Sequence, residues 1–378
     1  MAKALDKATI RVGVLGATGF IGTPYRDEIR ASRGAKIVAL CARRKDMLDK
    51  AGRIDGASLM TTNWREVVDH PDVNLVVVAT PDALHHEAVV ACAAARKHLV
   101  CEKPVGANAH QAREMWNAYS KRNSLAHFVP FWTRYFPLFA RAKTMVADNT
   151  LGSVKVVIYR WHNPRPSNMP FTWRDNPELS AGGSIADVGS HAYDTVRWIL
   201  GQEAERVLAH ADTITAGKAD LGEINLAEAL DWGQSQSREE TQRRRGGTAD
   251  YAAVAWEFSG GIIGVLVLSH ASFLRKGLAP ELEIHGTEGS LGVDRVRGQL
   301  TLAPNNSPPE VIATLPSEGL GNRFEQFVFP VVRDIMDGNT PADHPDLRDG
   351  WRCQLFTDAV ACSAERGCWV ELKEIAAA

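Results

Sequence analysis

The sequence lacks the features that direct a chain into or across a membrane. None of its apolar runs approaches the roughly 20 residues that a spanning helix needs, and residues 1–6 contain no apolar signal-peptide core. We therefore expect a cytoplasmic protein. An excess of charge is also missing, because 43 lysines and arginines nearly balance 45 aspartates and glutamates, for a net charge of −2. This balance argues against nucleic acid and anionic membranes and favours a small-molecule partner.

Cysteine is sparse and scattered. The six cysteines show no CxxC spacing, so the sequence predicts neither a disulfide framework nor a zinc site, and we expect no bound metal. Internal repeats and low-complexity tracts are not evident either. At 378 residues the chain is long for a single hydrophobic core, which indicates two domains.

The first domain begins with the pattern of a strand, a glycine turn and a helix. Residues 10–15 form a short apolar run, residues 16–22 read GATGFIG, and a helix is predicted from there through Arg30. Glycines in such a turn let backbone N–H groups approach a pyrophosphate at a helix N-terminus. The predicted cofactor contacts in the turn are Gly16, Ala17, Thr18, Gly19, Phe20 and Ile21. Because the spacing is GxxGxxG, with Thr18 at the usual second glycine, the turn alone does not establish a nucleotide site.

The end of the second predicted strand, residues 36–41, indicates which nucleotide would bind. A fold that selects NAD carries a carboxylate there for the ribose hydroxyls. This sequence instead has Ala42, Arg43 and Arg44. Arginine suits a 2′-phosphate because its guanidinium forms paired hydrogen bonds with phosphate oxygens. We expect the cofactor to be NADP or NAD, with NADP favoured, and the alternative is that both arginines are solvated loop residues.

Two further apolar runs end in polar turns. Residues 75–79 lead into Thr80 and Pro81, and residues 98–101 lead into Glu102, Lys103 and Pro104. Strands that alternate with helices in this way predict a doubly wound parallel sheet, whose ligands bind beyond the carboxyl ends of its strands. Lys103 would lie at that edge, where a cationic nicotinamide would bring its pKa toward a range useful for acid–base chemistry. A surface turn is the alternative.

The stretch 182–194 concentrates acid and base side chains. If a helix starts at Ser184, then Asp187, His191 and Asp194 project from one face, because they are separated by four and three residues. The paired glycines before it leave the backbone bare, which suits the approach of a ligand. The alternative is an amphipathic helix whose polar groups are satisfied inside the core.

Taken together, these stretches resemble the Gfo/Idh/MocA family of oxidoreductases, named for glucose–fructose oxidoreductase, inositol dehydrogenase and a rhizopine-catabolism protein. The first matching set of residues is Thr80, Pro81, His85, Ala91, Ala94, Lys97, His98, Glu102, Lys103 and Pro104. The second set is Ala181, Gly182, Gly183, Asp187, Gly189, His191 and Asp194. The chain departs from the family at Thr18 and Ile21 in the glycine turn and at Arg96 before the Lys-His pair.

The resemblance implies an architecture. Residues 1–128 would form a Rossmann dinucleotide-binding domain, and residues 129–378 an α+β domain for substrate binding and oligomerisation. The second domain would contain a large, mostly antiparallel open sheet, through which the family forms homodimers or homotetramers. Short strands joined by glycine-containing turns beyond residue 206 also favour an antiparallel sheet. Residues 226–247 are predicted to be a mobile polar loop, and a lid over a neighbouring site is the alternative.

The resemblance also implies a reaction, hydride transfer between a nicotinamide cofactor and a secondary alcohol or ketone of a sugar, cyclitol or glycoside. The predicted catalytic residues are Lys103, Asp187 and His191. His191 would be the base, Lys103 would stabilise charge on the reacting oxygen, and Asp187 would orient the substrate or His191. One alternative is an enzyme that uses tightly bound NAD as a transient hydride store for glycoside cleavage or epimerisation. The other is a non-catalytic dinucleotide-binding sensor or regulator.

Further candidate contacts follow from the same resemblance or from position in the chain. Those predicted for the cofactor are Thr80, Pro81, His85, Glu102, Lys103, Trp173 and Arg174. Those predicted for the substrate are Trp132, His162 and Asp194. For each aromatic or polar residue among the substrate candidates, packing inside the protein is the alternative.

Overall fold

A computed structural model describes residues 9–180, 182–222, 224–234, 242–315 and 319–377. Ala181 and residues 235–241 of the predicted polar loop lie outside the described residues. Within the described ranges, no helix is long and apolar enough to span a membrane. The same ranges contain no cluster of three or more histidine, cysteine, aspartate or glutamate side chains suited to a metal ion.

The chain forms two compact units, and neither is one continuous segment. Unit 1 comprises Met1–Pro130, Asn225–Ala227 and Gly321–Trp351. Unit 2 comprises Phe131–Ile224, Glu228–Leu320 and Arg352–Ala378. A domain boundary after residue 128 stays a prediction, since late segments of the chain return to the first unit.

Unit 1 is built on a six-stranded parallel sheet in the order β3-β2-β1-β4-β5-β6. The strands are β1 Ile10–Leu15, β2 Ala35–Cys41, β3 Leu59–Thr61, β4 Leu75–Val78, β5 His98–Cys101 and β6 His127–Phe128. The helices between them are α1 Gly22–Ala31, α2 Lys45–Asp55, α3 Trp64–Asp69, α4 His85–Ala94 and α5 Ala109–Ser120. This strand order confirms the predicted doubly wound Rossmann fold, and the central β4 is buried at every position, as strands covered on both faces are.

Local sequence explains where several helices of unit 1 begin and end. Asn63 and Asn108 precede α3 and α5, and each side chain accepts a hydrogen bond from a backbone N–H of the first turn. Gly56 ends α2 in the left-handed conformation that glycine adopts without strain.

Unit 2 contains a nine-stranded sheet in the order β16-β15-β14-β13-β7-β12-β11-β8-β17. Its larger strands are β7 Val154–His162, β8 Ala204–Asp212, β11 Tyr251–Phe258, β12 Ile262–Ser269, β13 Leu282–Gly286, β14 Gly289–Asp294, β15 Gln299–Pro304 and β16 Glu310–Thr314. The short ones are β9 Lys218–Ala219, β10 Arg243–Arg244 and β17 Val370–Glu371, of which β9 and β10 pair apart from the sheet. The helices beyond residue 130 are α6 Pro137–Ala147, α7 Ser190–Leu200, α8 Leu226–Gln234, α9 Phe329–Met336, α10 Leu347–Arg366 and α11 Leu372–Ala377. Of these, α9 belongs to unit 1, and α8 and α10 begin in unit 1 and continue into unit 2.

The large sheet is antiparallel except at one pair. β12 runs parallel to β7, with Ser269 opposite His162 at their ends. Because parallel strands finish at the same edge of a sheet, the loops that follow β7 and β12 begin side by side. This confirms the predicted mostly antiparallel sheet and defines the edge where polar side chains collect.

Residues 226–247 are not a continuous loop, so that prediction is wrong for the described part. α8 occupies Leu226–Gln234, and Arg243 and Arg244 form β10 against β9. The α8 sequence, LAEALDWGQ, is rich in strong helix formers, and this local propensity outweighed the polar character of the surrounding chain.

Candidate active site

The glycine turn of unit 1 is too tightly packed for side chains at two of its glycines. Gly16 has a φ of +80°, and a Cβ there would lie 2.4 Å from the carbonyl oxygen of Ala79. A Cβ at Gly22 would lie 2.1 Å from the carbonyl oxygen of Gly16. α1 begins at Gly22 with no acidic residue in its first turn. The turn therefore brings bare backbone to a helix N-terminus, an arrangement that suits a phosphate group and fits a dinucleotide.

The remaining candidates of this turn differ in how they face solvent. Ala17 is fully buried, so only its backbone is available to a ligand, whereas Phe20 is exposed.

After β2, Arg43 and Arg44 are both exposed, and Arg44 directly precedes α2. The position that would carry a ribose-binding carboxylate holds Ala42, which is buried.

His85 is buried and makes its contacts within unit 1. Its Nε2 donates a hydrogen bond to the carbonyl oxygen of Thr80 at 2.8 Å, and its Nδ1 lies 3.8 Å from the sulfur of Cys101. The ring therefore connects the ends of β4 and β5. This arrangement favours a role in positioning Thr80 over the predicted direct contact with the cofactor.

Glu102 is likewise occupied within the protein. The buried hydroxyl of Tyr25, on α1, donates a hydrogen bond to the Glu102 carboxylate, and the backbone N–H of Lys103 donates to the other oxygen at 3.1 Å. Burial, and then the nearby Glu102 charge, raise the pKa of Tyr25, so the hydroxyl keeps its proton. Glu102 thus ties the half-buried Lys103, which precedes a cis peptide bond to Pro104, to the helix that follows the glycine turn.

In unit 2, Asp187 lies at the centre of a buried polar cluster. Arg165 Nη2 lies 3.1 Å from Asp187 Oδ2, and Arg174 Nη2 lies 3.5 Å from Oδ1. His270 Nε2 also approaches Oδ2 at 3.1 Å, outside hydrogen-bond alignment. The cluster joins the loop after β7, the loop after β12 and the turn at residues 173–175 to one carboxylate.

The charge of this cluster is set by arginine. Burial lowers the pKa of His270, and the attraction of Asp187 only partly opposes that effect. Burial also lowers the pKa of Arg165, but guanidinium groups stay charged throughout the physiological range. In addition, Nε and Nη1 of Arg174 are buried and have no hydrogen-bond partner among the described residues. Donors of this kind are suited to a ligand, in keeping with the predicted role of Arg174.

His191 is held between aromatic rings. Trp161 stacks on it with ring centroids 5.3 Å apart and an angle of 12° between the planes. Phe131 meets the imidazole edge-on at 6.1 Å and 81°. These contacts restrict the orientation of the ring, which a general base requires to meet a substrate hydroxyl at hydrogen-bond distance.

The helix that carries these residues is not regular. Ile185–Gly189 form a π-helical turn, which continues into α7 at Ser190. Ser184 directly precedes the π-turn, is itself helical, and makes no capping hydrogen bond through its side chain. π-Turns widen a helix locally and often mark functional positions, and this one contains Asp187.

Asp194 has different surroundings from Asp187. It is fully buried, and its oxygens accept hydrogen bonds from Arg134 Nε at 2.8 Å and Nη2 at 2.5 Å. Arg197 Nη1 lies 3.5 Å from the same carboxylate. The bidentate pair favours a structural role over the predicted contact with substrate.

The remaining candidates of unit 2 each contact a neighbouring residue. His162 ends β7 and donates from Nδ1 to the carbonyl oxygen of Arg275 at 3.1 Å. The Arg174 guanidinium lies 4.4 Å from the ring centroid of Trp173. Trp132 is half-buried in a short 3₁₀ turn, with its ring 6.2 Å from that of Tyr135.

Arg165 and His270 were not predicted from the sequence. Each of these residues follows the end of one strand, β7 or β12. Sequence reasoning could place the two residues together only if it were known that these strands are parallel neighbours. The backbone N–H of Arg165 donates to the carbonyl oxygen of His270 at 2.9 Å, which fixes the two loops together.

Two family models match the chain, one in its N-terminal part and one in its C-terminal part. A family model described as "Oxidoreductase family, NAD-binding Rossmann fold" matches residues 10–129, and one described as "GFO/IDH/MocA C-terminal domain" matches residues 139–292. The levoglucosan dehydrogenase of Pseudarthrobacter phenanthrenivorans is 26% identical over 88% of each chain. The myo-inositol 2-dehydrogenase of Thermotoga maritima is 26% identical over 97% of this chain and 99% of its own.

Solved structures show the same fold. An oxidoreductase domain protein from Kribbella flavida superposes with a TM-score of 0.82 at 24% identity, covering 97% of this chain and 99% of that one. A levoglucosan dehydrogenase in complex with NADH and L-sorbose also gives 0.82, at 23% identity and with 97% and 100% of the chains covered.

The buried pair of Asp194 and Arg134 predicts a stability effect. Asp194→Asn leaves a guanidinium buried beside a neutral amide, so we expect the free energy of unfolding to fall by about 3 kcal/mol. Chemical denaturation followed by tryptophan fluorescence measures this, with the exposed Asp148→Asn as the matched control. If Asp194→Asn unfolds like the control but raises KM, Asp194 contacts substrate after all.

Proposed function

The chain belongs to the Gfo/Idh/MocA family of oxidoreductases, with an NAD-binding Rossmann fold in its N-terminal part, and on this premise we propose its substrate class and catalytic residues. We propose that it transfers hydride between a nicotinamide cofactor and a secondary alcohol or ketone of a sugar, cyclitol or related polyhydroxy compound. Two relatives named as levoglucosan and myo-inositol dehydrogenases support this class. The observation that carries the proposal is His191, clamped by Trp161 one helical turn after the buried Asp187.

The reaction needs a base and a stabilised oxygen. When an alcohol is oxidised, a proton leaves the hydroxyl while hydride leaves the adjacent carbon, and the bound nicotinamide supplies the hydride acceptor. His191 accepts the proton, and Lys103 donates a hydrogen bond that stabilises the developing negative charge on the oxygen. Asp187, fixed by Arg165 and Arg174, orients the substrate. In the direction of ketone reduction, His191 returns the proton.

The alternatives are less favoured. A transient hydride store for glycoside cleavage or epimerisation would give product without net cofactor reduction, whereas the two relatives above are named for net dehydrogenation. A non-catalytic sensor has no need of Lys103, Asp187 and His191 together.

Substitution tests the catalytic roles. We expect His191→Ala and Lys103→Met each to lower kcat by roughly 10²-fold or more, because each removes a group that acts on the reacting oxygen. The affinities for NADPH and NADH, measured by fluorescence titration, should change little. The exposed His110→Ala and Lys121→Met are matched controls. Turnover at the wild-type rate in both active-site variants would contradict the assignment.

We also propose that NADP is preferred over NAD. The support is the pair of exposed arginines after β2, together with the buried Ala42 where a ribose-binding acid would lie. Arg43 and Arg44 would form charge-assisted hydrogen bonds with the 2′-phosphate, which NAD lacks.

Affinities for the two reduced cofactors test the preference. We expect Arg43→Ala and Arg44→Ala each to weaken NADPH binding about tenfold and to leave NADH binding unchanged, since a charged hydrogen bond is worth roughly 1.5–3 kcal/mol. Arg53→Ala, at an exposed position in α2, is the control. Tighter binding of NADH than of NADPH by the wild-type protein would refute the proposal.

A third proposal concerns assembly into a homodimer or homotetramer. One face of the unit 2 sheet carries apolar side chains that reach solvent in the single chain, among them Ile263, 52% exposed, and Val265, 43% exposed. Apolar strand residues left uncovered on an open sheet favour pairing with a second copy.

Light scattering coupled to size-exclusion chromatography tests this assembly. We expect Val265→Glu to shift the protein toward the monomer, because a carboxylate in an apolar interface lacks a partner. Ile54→Glu, at an exposed position of α2, should leave the mass unchanged. A wild-type monomer at micromolar concentration would contradict the proposal.

A further inference from the structure

A cavity of about 230 Å³ lies in unit 2 at the carboxyl end of β7. Its lining includes Trp161 and His162 of β7, residues of the loop between β12 and β13, and residues at the end of β14 and just after it. Trp161 is also the residue that stacks on His191. Trp161 therefore lines the cavity and also contacts His191, the proposed catalytic base.

Positive charge dominates the lining of this cavity. Its cations are Arg160, Arg275, Lys276 and Arg295, and its carboxylates are Glu281 and Asp294. Two of the four cations are paired within the protein, since Arg160 binds Glu283 and Arg295 lies 2.9 Å from Glu281. Asp294 is paired too, with Arg297 at 2.6 Å.

Arg275 and Lys276 are the two remaining cations of the cavity lining. Neither side chain forms an ion pair with a carboxylate anywhere in the part of the chain that the structure describes. Lys276 reaches solvent at the rim, yet its pKa is lowered, first by partial desolvation of the ammonium and then by the charge of Arg295. The attraction of Glu281 only partly compensates. An ammonium in such surroundings gains from an added negative charge.

The positive charge near Lys276 includes an arginine of the Asp187 cluster. The charge of Arg165, which lies 3.1 Å from Asp187, also contributes to the lowered pKa of Lys276. Lys276 therefore lies within electrostatic range of the residues that would orient the substrate. A purely neutral sugar would leave this repulsion between cations uncompensated.

We propose that the cavity binds the anionic group, carboxylate or phosphoryl, of an acidic polyhydroxy substrate, with Lys276 and Arg275 as its cationic partners. The inference rests on the proposed function and narrows its substrate class from sugars and cyclitols in general to those that carry a negative charge. The charge serves to place the substrate, while the hydroxyl that reacts is a separate group handled by His191.

Binding measured apart from turnover tests the inference. Isothermal titration calorimetry, with the full chain and saturating reduced cofactor, would compare five- and six-carbon aldonates, uronates and sugar phosphates with their neutral parent sugars. We expect at least one acid to bind tenfold or more tightly than its neutral parent. The acid that binds identifies the anionic group as carboxylate or phosphoryl.

Variants locate the effect. Lys276→Gln should weaken binding of that acid about tenfold and leave the neutral parent unchanged, because a hydrogen bond to a charged group is lost. Arg275→Gln is a second variant on the same loop, and the exposed Lys121→Gln is the control. The inference is overturned if no acid binds more tightly than its parent, or if both loop variants bind the acid like the wild-type protein.

Measuring cofactor reduction distinguishes a failure of this inference from a failure of the proposed dehydrogenase function. Oxidation of neutral sugars alone, unaffected by Lys276→Gln, overturns the inference and leaves the proposed dehydrogenase intact. Tight binding of an acid that depends on Lys276, with no cofactor reduced by any compound, supports the anion site and contradicts the dehydrogenase.

Discussion

The parallel pairing of β7 with β12 is the constraint on which the candidate site of unit 2 depends. In an otherwise antiparallel sheet, it makes two strands finish at one edge, with His162 opposite Ser269. The residues that follow, Arg165 and His270, then approach the same carboxylate of Asp187. Had the two strands been antiparallel, the loops after them would have left from opposite edges of the sheet.

In unit 1, one buried hydrogen bond joins two segments of the candidate cofactor site. The first βα turn and the end of β5 are far apart in sequence, yet Tyr25 on α1 and Glu102 next to Lys103 are joined directly. A phosphate-binding turn and a lysine at the nicotinamide end of a Rossmann fold need fixed relative positions, because the cofactor would span them. The hydrogen bond between Tyr25 and Glu102 links the two segments, and the contact of Glu102 with the cofactor stays a prediction.

Local sequence predicted most of the fold because the strands of unit 1 are short apolar runs bounded by glycine or polar turns. β1 was predicted with the bounds that it has, Ile10–Leu15. Long-range features were not accessible in this way. Nothing in the local pattern of residues 321–351 indicates that this segment returns to unit 1, and the π-turn at Asp187 has the same periodicity signal as an ordinary helix. Strand-end position and helical spacing indicated Lys103, Asp187 and His191, the family resemblance supplied their catalytic roles, and His270 required the strand pairing.

The lowered pKa of His270 has a consequence for how this protein would respond to acidity. The counter-charges around Asp187 come from two guanidinium groups, which do not titrate between mildly acidic and mildly alkaline solution, and burial lowers the pKa of His270, which favours its neutral form. The charges of the two arginines therefore stay constant across that range. A change in rate with pH across that range would therefore have to come from a group outside this cluster.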